Sequence, residues 1–226
     1  MYANNKCEVE IILQPVDIEK QLMKGTTTVA IKCKDCAVMV ADMRASMGTL
    51  VASDHAKKVF QLNDYSAMTI AGLVSDAQYI VDIMQAQIRL FELDRKRLPK
   101  TSMIANLVKN MLYGQYRAYF PYYVQLMVGG WDQTGPHVFS FDMSGSVSED
   151  PWFSTGSGSP VAFGVLQALA EENMTEKEGL KVALKALKAA IKRDTATGDG
   201  IRAVVIDSKG FRELSQEEIK ELGGAI

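Results

Sequence analysis

The chain changes pattern in pairs, and that order constrains its fold more than any other feature. Thr26 to Cys33 (TTTVAIKC) is rich in β-branched residues, and CAVMVAD follows directly after Lys34-Asp35. This reads as two strands joined by a tight turn. Neither run alternates cleanly between apolar and polar residues, so both strands are predicted to be buried inside a layered fold. A polar stretch, 43–53, reads as a loop. KKVFQL and YSAMTIAG then form a second strand pair around Asn63-Asp64. Over 75–94, Ala77, Ile80, Val81, Met84, Ile88 and Phe91 recur at three- and four-residue steps, the spacing of one buried helix face. After Pro99 a second helix is predicted over roughly 101–117, with Ile104, Leu107, Val108 and Met111 inward.

The alternation then repeats. YYVQLMVGGWD and HVFSFDM read as a hairpin around Gln133-Thr134-Gly135, and Trp152 to Thr155 as a further short strand. Gly156 to Pro160 is a tight loop that opens a third helix. A fourth spans about 176–193, where Thr175 and Glu178 form a capping box. The strand IRAVVID follows, then a turn at Ser208-Lys209-Gly210, then a short helix opened by Ser215 and Glu218. Ahead of all this, residues 1–25 are irregular, with a short strand at Val9, Ile11 and Ile12 ended by Pro15. Such an order is not the strict strand–helix repetition of a Rossmann or barrel fold. It predicts an α+β, four-layer αββα sandwich, two antiparallel sheets between helix layers.

Composition narrows the function. With 226 residues the chain suits one substantial domain. Lys plus Arg total 25 against 27 Asp plus Glu, so no strong positive field invites nucleic acid or an anionic membrane surface. No apolar run reaches the ~18 residues of a membrane helix. Glu8, Glu10, Gln14, Asp17 and Glu19 break any signal-peptide core. An odd count of three cysteines predicts a reducing, cytoplasmic setting. Cys33 and Cys36 have C-x-x-C spacing, but structural zinc needs four ligands and Cys7 is remote, so both are placed beside the hairpin turn. Only His55 and His137 are present, which argues against a histidine-rich metal site and a Ser-His-acid triad, and both are expected to be structural or solvent-facing. No G-x-S-x-G elbow is found.

Three threonines, Thr26 to Thr28, follow Gly25. A hydroxyl nucleophile needs a base within hydrogen-bond reach. If the bond before a threonine is cut, its own α-amine, with an unperturbed pKa of about 8, can serve. Asp42 ends an apolar strand and Lys58 enters another. Read alone, they are a loop cap and a solvated lysine; on neighbouring strands they form a buried ion pair.

The segments GTTTVAIKCKD, ADMRASMG, AKKVFQLND, TIAG with SDAQ, YFPYYVQLMVGGWD, TGSGSPVAFGVL, KRDTATGDG and AVVI, in that order over 25–206, closely resemble proteasome β subunits of the archaeal type, members of the N-terminal-nucleophile hydrolase superfamily. The resemblance implies a leader, 1–25, removed autocatalytically at Gly25–Thr26, and a catalytic domain, 26–226. Thr26 would be the nucleophile, with its free amine as base. Lys58 and Asp42 would be the charged pair behind it. Ser157, fixed by Asp194, would hold the amine and its water. Thr197 stands where the family usually has serine; it keeps the hydroxyl. Gly72 would supply the backbone N–H for the oxyanion. Ser46 and Gly72 resemble positions that pair with an extended peptide. Ala45, Ala56, Phe60, Ile70 and Val74 would line or back the first specificity pocket, so cleavage after hydrophobic residues is expected, in a pocket made shallow by Phe60 and Val74. Ala30 and Cys36 replace common family glycines.

The implied activity is that of a threonine endopeptidase acting on unfolded polypeptides without a cofactor. The implied partners are proteasome α subunits and other β subunits in a four-ring α7β7β7α7 barrel fed by an unfolding ATPase. A noncatalytic ring subunit with a retained leader and a small-substrate amidase of the same superfamily are the alternatives.

Overall fold

A computed structural model describes residues 25–224. The predicted strand at 9–12, Cys7 and nearly all of the predicted leader lie outside them. Twelve strands are found among the described residues: β1 (Thr28–Lys32), β2 (Cys36–Asp42), β3 (Ala45–Met47), β4 (Leu50–Ser53), β5 (Val59–Asn63), β6 (Ser66–Gly72), β7 (Val124–Asp132), β8 (Gly135–Phe141), β9 (Val147–Glu149), β10 (Trp152–Thr155), β11 (Ile201–Asp207) and β12 (Gly210–Glu213). Five α-helices accompany them: α1 (Val74–Arg95), α2 (Thr101–Arg117), α3 (Ser159–Leu169), α4 (Glu176–Ile191) and α5 (Gln216–Ile219).

One sheet runs β10-β1-β2-β11-β12 and the other β5-β6-β7-β8-β9, with every pairing antiparallel. The lack of apolar–polar alternation in β1 and β2 now has its cause: both faces are covered. Val29, Ile31, Val38 and Val40 point outward onto Leu166 of α3 and Leu180, Leu184 and Leu187 of α4. Their neighbours Ala30, Ala37, Met39 and Ala41 point inward and meet Ala67, Met127 and Val138 of the second sheet. The outer face of that sheet, with Met68, Leu126 and Val128, packs on Ile80 and Met84 of α1 and Ile104 and Val108 of α2. The result is the predicted αββα order. The capping boxes at Thr175/Glu178 and Ser215/Glu218 are both formed.

Departures from the sequence reading concern short or polar elements. The 43–53 stretch is not a loop throughout; β3 and β4 make a small hairpin outside both sheets. Its second strand is exposed along its whole length, so no burial imprints a period on it. The edge strands β9 and β12 have three and four residues and were not predicted, being too short to show a period. On α2 the buried face is turned toward Ala105 and Leu112, leaving Leu107 and Met111 half-buried. The fourth helix ends at Ile191 rather than near 193.

Candidate active site

Strand register alone brings four distant segments to one end of the first sheet. Thr28 of β1 pairs with Ala41 on one side and Thr155 on the other, and Asp42 pairs with Ile201. The residues just before β1, the last residue of β2, the loop after β10 and the turn before β11 must therefore meet. Lys58 arrives from the second sheet, one residue ahead of β5.

Asp42 is fully buried and Lys58 nearly so. Lys58 Nζ lies 2.6 Å from Asp42 Oδ1. The same oxygen accepts the Thr27 amide at 2.9 Å; Oδ2 accepts the amides of Gly198 at 3.0 Å and Arg44 at 3.2 Å. Burial is the largest influence on both groups: it pushes the Asp42 carboxyl up and the Lys58 ammonium down. Their mutual attraction opposes both shifts, and the amides of Thr27 and Gly198 add to it at Asp42. Three amide donors and an ammonium converging on one carboxyl group satisfy a carboxylate, so the pair is charged.

A second network adjoins the first. The Thr26 amide donates to Ser157 Oγ at 3.3 Å, and Ser157 Oγ donates to Asp194 Oδ2 at 2.5 Å. Thr197 Oγ1 donates to that same carboxylate oxygen at 2.5 Å. Its proton is thus committed, so the 2.8 Å contact between Thr27 Oγ1 and Thr197 Oγ1 has Thr27 as donor. Thr27 joins the two networks, with its amide on Asp42 and its hydroxyl on Thr197. Thr26 itself is buried, and its hydroxyl donates to the carbonyl oxygen of Gly25 at 2.7 Å. The Gly25 amide donates to Ser46 Oγ at 2.9 Å. The hydrogen bonds among the described residues include none between Lys58 Nζ and Thr26 Oγ1.

Thr26, Asp42, Lys58, Ser157, Asp194 and Thr197, predicted as site residues, are brought into this one connected system. Gly72 closes β6 at φ +112°, where an added Cβ would stand 2.2 Å from the Tyr123 carbonyl oxygen, so only glycine fits. The predicted pocket residues divide. Ile70 and Phe60 pack into the core beneath α1, Ala45 and Ala56 are half-buried, and Val74 is exposed at the start of α1. A cavity of about 290 Å³ is lined by Arg44, Asp194, Thr197 and Asp199 among others, and by none of those five residues. His55 is exposed against Asp54, and His137 sits between Thr134 and Glu149, away from these networks. Cys33 and Cys36 are buried free thiols beside the β1–β2 turn. Among the described residues no group of three or more His, Cys, Asp or Glu side chains is disposed to hold a metal ion.

Four contributors were missed. Thr27 bridges the networks. Arg44 grips Asp199 with Nε and Nη2 at 2.6 and 2.8 Å and the Thr195 carbonyl with Nη1 at 2.7 Å, which anchors the turn before β11. Gly156, at φ +94°, lies so close that a Cβ would be 2.1 Å from the Thr26 carbonyl oxygen. Gln125 Oε1 accepts the Gly156 amide at 2.9 Å. Its signal was present: Gln125 is the one polar side chain in the run YYVQLMV other than its tyrosines.

The family model described as "Proteasome subunit" matches residues 22–206. A "Proteasome subunit beta" of Methanopyrus kandleri is 45% identical over 203 residues, covering 89% of this chain and 97% of the relative. A protein of the same description from Methanocaldococcus vulcanius is 47% identical over 204 residues, 89% of this chain and 91% of its own. A "Proteasome subunit beta 2" of Aeropyrum pernix is 43% identical over 195 residues, 86% of this chain and 88% of its own. A buried ion pair and a hydroxyl network meeting at one threonine, in a chain alike to these relatives over nearly its whole described length, lead to one conclusion: the chain belongs to the proteasome subunit family, as a β subunit of the archaeal type.

Proposed function

We propose that Thr26 is the nucleophile of a threonine endopeptidase and that the chain activates itself by cutting the Gly25–Thr26 bond. Kinship with archaeal proteasome β subunits gives the activity class. The observation that carries the assignment to Thr26 is the unbroken hydrogen-bonded path from its amide through Ser157, Asp194, Thr197 and Thr27 to the Asp42–Lys58 pair.

In self-cleavage, Thr26 Oγ1 attacks the Gly25 carbonyl carbon. The oxyanion is received by the Gly72 N–H, the Gly25–Thr26 C–N bond breaks, and the hydroxyl proton ends on the freed nitrogen. Water then hydrolyses the ester and releases the leader as a carboxylate. In the processed chain the amine, held by Ser157, takes the hydroxyl proton as Oγ1 attacks a substrate carbonyl. It then protonates the leaving amine, and water attacks the acyl ester with the same amine as base. The charged Lys58 lowers the proton affinity of the threonine oxygen, and Asp42 fixes Lys58. Ser46 and Gly72 pair with the extended substrate. Ala45, Ala56, Phe60, Ile70 and Val74 favour a hydrophobic residue before the cut.

The subunit assembles with proteasome α and β subunits into a proteasome-like particle. We infer the four-ring α7β7β7α7 arrangement, with an unfolding ATPase feeding unfolded polypeptide through the α rings. The test is the intact mass and peptidase activity of the particle co-expressed with its α subunit. Wild type is expected to begin at Thr26 and to cleave reporters after hydrophobic residues. Thr26→Ala is expected to keep Gly25 and be inactive. Activity persisting in that variant sinks the assignment.

A further inference from the structure

Gly25 is gripped on three sides, and only one of the grips comes from the proposed nucleophile. Its carbonyl oxygen accepts the Thr26 hydroxyl, 2.7 Å away. Its amide donates to Ser46 Oγ, 2.9 Å away in β3. Its Cα faces the turn before β11 so closely that a Cβ would fall 1.6 Å from Ala196 Cβ, 2.5 Å from Ala196 Cα and 2.6 Å from its carbonyl oxygen. The two flanks restrain different motions. The Ala196 wall blocks displacement of the Cα toward the turn. The Ser46 hydrogen bond fixes the direction of the Gly25 N–H and so restrains rotation about the Gly25 N–Cα bond. The carbonyl carbon to be attacked is then held beside the Thr26 hydroxyl.

We propose that the Ser46 hydroxyl is a positioning residue for self-cleavage: it holds the last leader amide so that the Gly25 carbonyl stays in line with Thr26 Oγ1. This rests on the reading of Thr26 as nucleophile, and it adds a side-chain role to a position otherwise assigned backbone pairing with substrate. The acyl shift proceeds within a single residue pair, so its rate depends on how much of the time the carbonyl occupies the reactive orientation. Ser46 is buried, so water does not readily replace its oxygen as acceptor. Once the leader departs, this amide leaves with it, so the Gly25–Ser46 contact itself is lost on maturation.

The experiment follows leader removal over time by intact mass in the full chain co-expressed with its α subunit. Ser46→Thr keeps the oxygen; Ser46→Val has the shape of threonine without it; Ser46→Ala removes the oxygen without adding bulk. Thr is expected to process within about twofold of wild type, and Val and Ala each at least tenfold more slowly. Val as fast as Thr, or Thr as slow as Val, overturns the proposal, because the oxygen then does not set the rate. Slow Val with fast Ala also overturns it, since bulk is then the cause. Should Val fail to enter the particle, the Thr and Ala arms decide alone. Thr26→Ala runs in parallel: cleavage at Gly25–Thr26 in that variant removes the underlying reading, whatever Ser46 does.

Discussion

The Asp42–Lys58 pair offers the sharpest quantitative test. Two unit charges 2.6 Å apart attract by about 6 kcal/mol at an effective dielectric of about 20, against about 1.6 kcal/mol in bulk water. Both side chains are 6% exposed or less, so the larger figure is the relevant one, and the desolvation of two ions offsets much of it. The consequence is an asymmetry between single and double substitutions. Lys58→Met leaves a buried carboxylate, and Asp42→Asn leaves a buried ammonium; each should cost roughly 3–5 kcal/mol of stability. The double variant leaves neither charge, so it should lose less than the two singles together, with a coupling of about 2–3 kcal/mol. Urea unfolding of the full chain, followed by tryptophan fluorescence, measures all three.

The pH dependence of Lys58→Met adds a signed check. Without the ammonium, burial pushes the Asp42 carboxyl up with less opposition. A carboxyl whose folded pKa exceeds its unfolded value is favoured while protonated. The damage should therefore be smallest below the ordinary carboxylate range and grow as pH rises through the raised pKa. Peptidase activity should fall at least a hundredfold in either single variant. Additive losses below about 1 kcal/mol would refute the reasoning, because they would mean that water already solvates the pair.

Three further outcomes are expected. Thr197→Ser retains the oxygen that accepts from Thr27 and donates to Asp194, so peptidase activity of the particle should stay within about twofold, whereas Thr197→Val breaks both bonds and should reduce it at least tenfold. Gly72→Ala places a methyl 2.2 Å from the Tyr123 carbonyl oxygen at φ +112°, so little assembled particle should be recovered on gel filtration. Burial raises the Asp132 carboxyl, but bonds from the Thr134 hydroxyl and amide and the Thr101 amide outweigh it and leave the group depressed. Its stabilising effect should be present above the ordinary carboxylate range and lost as pH falls through the depressed value, so Asp132→Asn should cost about 1–2 kcal/mol near neutrality and almost nothing in strong acid, read from urea midpoints.

Layering was legible because it is written twice over. Uninterrupted apolar strands require cover on both faces, and helix pairs with one apolar stripe supply the outer cover. What the sequence hid were the exposed β4 and the three- and four-residue edge strands β9 and β12, too short to imprint a period. The same contrast holds at the site. Although alone Asp42 reads as a loop cap and Lys58 as a solvated lysine, Thr26, Asp42 and Lys58 stand out through the ordered segments that resemble the family. Thr27, Arg44 and Gly156 do not, because their contributions are an amide direction, a grip on a backbone carbonyl and a missing Cβ. Those are properties of register and of φ, and they arise only once β1, β2, β10 and β11 are paired.

That pairing also explains how one constellation serves two reactions in the proposed scheme. While Gly25 is attached, the Thr26 nitrogen is an amide that donates to Ser157 and has no basic lone pair. The base used on later substrates therefore cannot act in the first cut, and the proton must leave by another route. What stands beside the nitrogen is Ser157, committed to Asp194, in a loop that Gln125 holds against Thr26 through the Gly156 amide. Cleavage gives the nitrogen a basic lone pair without moving any of these partners, because each is fixed by strand ends and not by the leader. Ser157 can go on accepting an N–H from the free amine while its own proton stays on Asp194, which leaves the amine lone pair for the Thr26 hydroxyl. Ser46, by contrast, loses its leader partner altogether. The rigid scaffold thus retains the partners that hydrolysis needs, while the Gly25 contact goes with the leader.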